Sequence, residues 1–157
     1  SIEYLPNREA LDILVYKIMP IVVKKNPYIK LVVSGNNKIP YKKKFLINIG
    51  FVSKKNFYTY LKSASLFVNP MRTAFGSQVK MISALVFGKT IIASSKATAG
   101  LDLNNKFNKI HVANNPNKFS ELILRNINSK KINGINSEFY QKKYSIKKIT
   151  SDFINKI

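Results

Sequence analysis

The 157-residue chain has no cysteine, no tryptophan, a single histidine and only 7 acidic residues against 27 lysines and arginines. Without cysteine, disulfides and thiolate metal sites are excluded. The lone histidine, His111, stands between Ile110 and Val112 with no carboxylate beside it, the setting of a structural strand residue rather than of a base or ligand. No apolar run is long enough to cross a bilayer and no secretory leader opens the sequence, so the expected setting is cytoplasmic. Internal repeats are lacking too. Arginine is scarce, with only Arg8, Arg72 and Arg125 among the basic residues.

What is present is a foldable polycation. With 45% hydrophobic residues the chain can bury the core of one ordinary domain, despite a formal net charge of +20. The lysines accompany abundant Asn and Ile, residues with A/T-rich codons, so base composition accounts for much of the charge without selection for a polyanion. Lysine also reads bases less well than arginine. Nucleic acid is therefore the weaker partner reading, and an anionic membrane surface at the inner face is the better-matched secondary one.

One stretch, Ser65 to Ser95, organises the rest. An apolar run (Leu66, Phe67, Val68) stops at Asn69 and Pro70, a loop carries Arg72 and Gly76, and an apolar-periodic segment runs from Val79 to Phe87. Gly88 follows, where a left-handed helix end suits a residue without Cβ, and Thr90 to Ala93 resume a β-branched run. This reads as a β-α-β unit with parallel strands. Ser77 is placed to cap the helix, leaving the N–H groups of Gln78, Val79 and Lys80 over the carboxyl ends of the strands. A phosphate would gain from those donors, from the helix end, and from Lys80 or Arg72. An ordinary capped crossover fits the same pattern.

Upstream, apolar residues from Asn7 to Lys24 recur at helical spacing, with a kink expected near Met19 because Pro20 removes an interior hydrogen bond, and Pro27 closes the element. Lys30 to Ser34 reads as a buried strand and Phe45 to Val52 as a second, interrupted by Gly50. Ser53 to Lys62 reads as a short capped helix with Phe57, Tyr60 and Leu61 facing the core. Downstream, Ser94 to Leu101 is a small-residue loop past a strand end, Lys109 to Ala113 a strand, and Asn115 with Pro116 opens another helix. Two helical pieces, 133–142 and 145–156, close the chain. The alternation predicts an α/β fold, a Rossmann-like open, mostly parallel sheet with helices on both faces. The first strand of such a unit is expected before the Asn7 helix, where only Ser1 to Leu5 is available.

These residues together resemble the C-terminal, nucleotide-sugar-binding lobe of GT-B-fold glycosyltransferases of the group 1 family. The landmarks are Leu5 to Asn7 with Ala10 and Leu11, Leu31 to Gly35, Gly50 to Val52, Ala64 to Pro70, Gly76 with Lys80, Ala84 to Gly88, Gly100 with Leu101, His111 to Ala113, and Lys143 to Ser145. The resemblance implies that residues 1–157 are a single donor-binding domain of a two-lobed enzyme. That enzyme would move a sugar from a nucleoside diphosphate to a glycan or lipid-linked acceptor held by an N-terminal lobe, with retention of configuration and without cofactor or metal. Gly76, Ser77, Gln78, Val79 and Lys80 would hold the diphosphate, Phe51 and Val52 would face the base, Gly35 would line the pocket and Gly100 its rim. No side chain is singled out as catalytic. Two departures stand out: Ser83 occupies the position of a family glutamate that holds the ribose, and Phe75 that of another. Arg8 or Arg72 would substitute for an Arg and Lys that many members place on the diphosphate. A degenerate, non-catalytic homologue and a polyanion-binding domain are the alternatives.

Overall fold

The helical spacing expected from Asn7 to Lys24 is realised with a wider turn in its middle. The computed structural model describes residues 4–35, 38–73, 79–99, 101 and 109–128. It runs α1 over Leu5–Ile13, a π-helical turn over Leu14–Ile18, and α2 over Met19–Lys25. The expected break at Pro20 becomes that π turn. Proline has no N–H for the carbonyl four residues back and its ring crowds that group, so the winding loosens and the Met19 N–H reaches the Leu14 carbonyl instead. The helix begins before Asn7, with Tyr4 at its N-cap and Pro6 in its first turn. It stops at Lys25 because Asn26, ahead of Pro27, is extended at φ −143°.

Every strand pairing among the described residues is parallel. Leu31–Val33 (β1) pairs with Leu46–Asn48 (β2). Leu66–Asn69 (β3), Thr90–Ala93 (β4) and Ile110–Val112 (β5) form a second set in the order β3-β4-β5. The α/β class is thus present, with its strands in two sheets. The expectation of a buried strand at Lys30 to Ser34 is corrected: Val32 is 48% exposed beside its register partner Ile47. Side chains alternate across a strand, and only the face of Leu31 and Val33 meets Leu11 and Val15 of the first helix. The second strand is also shorter than Phe45 to Val52, because the Asn48 side chain accepts the Gly50 N–H at 3.1 Å and turns the chain out of the sheet.

The remaining helices follow their local signals. Lys54–Ser63 (α3) is capped by Ser53, whose hydroxyl accepts the Asn56 N–H at 3.3 Å. Leu61 is buried and Phe57 packs on the core, whereas Tyr60 is exposed, so the apolar face of α3 is narrower than its spacing indicates. Val79–Val86 (α4) ends at Gly88, φ +63°, where the N–H groups of Gly88 and Lys89 close onto the carbonyls of Leu85 and Ala84. Pro116–Asn126 (α5) starts under Asn115, whose side chain accepts the Lys118 N–H at 2.9 Å. The closing pieces at 133–142 and 145–156 lie outside the described residues.

β4 is the buried centre. Ile91 packs with Leu61, Met81, Ala84 and Leu85 of α3 and α4, while Ile92 faces Ile18, Met19, Val22, Phe119 and Ile123 on the other side. Both isoleucines are fully buried, each contributing about 1.5–3 kcal/mol. Lys89 is buried as well. Its ammonium donates to the Lys62 and Ala64 carbonyls at 2.7 and 2.8 Å, where α3 ends.

Candidate functional site

Parallel strands deliver their carboxyl ends, and the loops that follow, to one edge of the molecule. After β1 and β2 the chain forms two turns joined to each other: the Gly35 N–H and the Ser34 hydroxyl both donate to the Gly50 carbonyl, at 2.9 and 3.1 Å. Gly35 has φ +127°, which favours glycine, and a Cβ added there would meet nothing within 4 Å, so the space above this turn is open. Phe51, beyond the second turn, is 80% exposed, and Val52 is half-buried.

After β3 the chain passes buried Met71 and exposed Arg72 towards α4. Met81, Ala84 and Leu85 turn one face of this helix into the core. Lys80 and Ser83 lie outside that stripe. The Lys80 ammonium donates to the Asn7 side-chain oxygen at 2.6 Å and sits 4.0 Å from the Met71 sulfur. Although the residue as a whole is open to solvent, its tip lies among protein atoms, and desolvation lowers its pKa from the ordinary lysine value. Asn7 belongs to the first turn of α1, so this contact brings the amino ends of α1 and α4 together. An anion at this edge would meet two positive helix ends and an ammonium.

The other expected site residues are dispersed. Val79 is exposed at the start of α4, and the Ser83 hydroxyl donates to its carbonyl at 3.0 Å. Arg8 is exposed on α1, and its charge acts on Tyr41. Gly76, Ser77, Gln78 and Gly100 lie outside the described residues. The small-residue loop after β4 is latched at both sides. The Ser94 hydroxyl donates to the Met71 carbonyl, and the Ser95 N–H and hydroxyl both donate to the Asn114 side chain at 3.0 and 2.9 Å. His111, at the far strand, is half-buried; desolvation and then the nearby Arg125 charge lower its pKa. Asn7 was not among the expected site residues. No local pattern pairs it with a lysine 73 positions away.

Among the described residues, no helix is long and apolar enough to cross a membrane. A Klebsiella pneumoniae protein described as an uncharacterized 44.6 kDa protein in the cps region is 28% identical over 164 residues, a match covering 94% of this chain and 42% of that protein. The chain thus spans less than half the length of the curated relative it matches. The family model described as glycosyl transferases group 1 matches residues 2–129, carrying the Asn7 helix, both turns at Gly35 and Gly50, and α4 with Lys80. By that match across most of its length, the chain belongs to the group 1 glycosyltransferases.

Proposed function

We propose that this chain is the donor-binding lobe of a glycosyltransferase that moves a sugar, with retention, from a nucleoside diphosphate to a glycan or lipid-linked acceptor. The observation that carries the reading is the Lys80 ammonium, held by Asn7 where the amino ends of α1 and α4 meet. A diphosphate leaving group there would gain from both helix ends and from a cation partly freed from water, so catalysis is largely positional and electrostatic. The turns at Gly35 and Gly50 would flank the nucleoside, and Arg72 would add charge from the loop after β3. The cps-region description of the Klebsiella relative supports a surface polysaccharide as the product class. The acceptor would be held by a separate lobe, at the cytoplasmic face of a membrane, and this chain alone would bind donor without turnover.

Calorimetric titration with UDP, GDP and ADP and their sugar conjugates, at low and moderate salt, tests the proposal. Selective binding of one diphosphate that survives added salt is expected. Binding that is unselective and collapses with salt would instead mark a polyanion-binding surface.

The engaged hydroxyl of Ser83 favours a second reading. Its proton is committed to the Val79 carbonyl, and a neutral hydroxyl holds a ribose more weakly than a carboxylate does. In a non-catalytic homologue the nucleotide site would be correspondingly weak.

A further inference from the structure

The loop between β1 and β2 carries four lysines in seven residues, from Lys38 to Lys44, and the fold holds it in place. Ile39 and Tyr41 turn inward and pack with Leu11 and Val15 of the first helical run, which leaves Lys42, Lys43 and Lys44 exposed. The Tyr41 hydroxyl donates to Asp12, the Lys43 carbonyl accepts the Leu46 N–H at 2.9 Å, and the Lys44 carbonyl accepts the Lys30 ammonium at 3.2 Å. The backbone of the lysine run is tied down, whereas no carboxylate among the described residues forms an ion pair with its three ammonium groups. Asp12, on the facing helix, is taken up by Tyr41. The Lys43 ammonium lies 5.6 Å from the ring centroid of Tyr16, which is 56% exposed and packs edge-on against Tyr41. Adjacent like charges repel, and an external anion facing the loop would offset that cost.

The chemistry of the patch selects the anion. Its cations are lysines, point charges rather than the planar forks that read bases or carboxylates. The exposed ring of Tyr16 has Lys43 over it and Tyr41 against it, so it is no platform for stacked bases. A field of lipid phosphates needs neither fork nor platform, and a tyrosine beside lysines suits the headgroup level of a bilayer, with ring and stems inward and charges among phosphates. We propose that this loop, together with Tyr16, is the surface by which the protein lies against an anionic phospholipid bilayer. Lys38 follows Gly35 by three residues, no more than about 10 Å of chain. The docked loop would thus hold the Gly35 turn of the nucleotide crevice beside the bilayer, where a lipid-linked acceptor is presented. That consequence rests on the donor-binding reading; the docking itself does not.

Co-sedimentation of the full-length protein with vesicles tests the proposal, using phosphatidylcholine alone and phosphatidylcholine with about one third phosphatidylglycerol. Binding to the anionic vesicles alone, weakened by salt, is expected; no binding, or equal binding to both, overturns the proposal. Lys42→Gln, Lys43→Gln and Lys44→Gln together are expected to lower partitioning about 100-fold, roughly fivefold for each lysine at the surface. Lys54→Gln, Lys55→Gln and Lys62→Gln remove the same charge from α3, in the opposite helix layer. That triple is expected to cost less than about fivefold, because charges more than a Debye length from the bilayer are screened. Equal losses from the two triples would make total charge the cause and overturn the proposal, as would no loss from the loop triple. Tighter binding to a single-stranded oligonucleotide than to vesicles, at equal phosphate concentration, would make nucleic acid the partner and overturns it too. The vesicles carry neither sugar donor nor acceptor, so failure here leaves the donor-binding reading intact, and the nucleotide titration can fail while the docking stands.

Discussion

The Lys80 ammonium lies 2.6 Å from the Asn7 side-chain oxygen, tying the first turn of α4 to that of α1 across 73 residues of sequence. Asparagine orients the cation without neutralising it, so its charge stays available to an anion at the helix ends. Lys80→Met is expected to weaken binding of the preferred nucleoside diphosphate by about 10- to 100-fold, the range of one charge-assisted hydrogen bond. The same substitution removes a desolvated charge and should leave the melting temperature unchanged or slightly raised. Calorimetry and differential scanning fluorimetry on one sample separate the two effects. Unchanged affinity would remove Lys80 from the site.

Ser83→Glu distinguishes a working site from a degenerate one. In a site adapted to serine, the added carboxylate is expected to leave nucleotide affinity unchanged or lower, since it would approach the bound diphosphate with like charge. An increase of about tenfold or more in titration calorimetry would favour the degenerate reading.

Lys89 is a structural cation, not a ligand-binding one. Its ammonium donates to two carbonyls at the end of α3 from a nearly buried position. Lys89→Met leaves those carbonyls without these donors and is expected to destabilise the fold by about 1–3 kcal/mol in urea unfolding. Lys55→Met, on the exposed face of α3, should stay within about 0.5 kcal/mol and serves as the control.

Tyr41 anchors the basic loop before β2 to α1. Its hydroxyl donates to the Asp12 carboxylate at 2.6 Å, and burial, together with that bond, pushes its pKa up to about 12. Tyr41→Phe is expected to cost about 1–3 kcal/mol, the range for a hydrogen bond to a charged group. The raised pKa sets the sign of the pH dependence. The contribution is complete below pH 10, the unfolded value, and is lost between 10 and about 12 as the folded tyrosine ionises. The stability difference between wild type and Tyr41→Phe should therefore shrink across that interval, read by denaturant unfolding at pH 8 to 11.

Lowering of the His111 pKa has the opposite consequence. The folded protein favours the neutral imidazole, so its contribution is complete above about pH 6.5 and falls as the pH drops through that value. His111→Gln should flatten the decline in melting temperature between pH 7 and 5; an unchanged slope would show that other groups govern it.

The features legible in the sequence are those whose cause lies within a few residues. Ser53 and Asn115 cap their helices because each side chain meets an N–H three positions on, and Gly88 ends α4 because the required backbone angle is local. The parallel pairing of β3 with β4 followed from the helical segment between them, and the order of short landmarks carried the family. Tertiary structure decided the rest. Asn7 and Lys80, Tyr41 and Asp12, and Lys89 with the end of α3 are partners separated by 25 to 73 positions, invisible to any local pattern. The same holds for Val32: its β-branched run reads as buried, yet whether a strand face is covered depends on which helices arrive, and here they cover only one side. Local backbone chemistry selected the elements, while the meeting of distant side chains set which charges are exposed and which are enclosed.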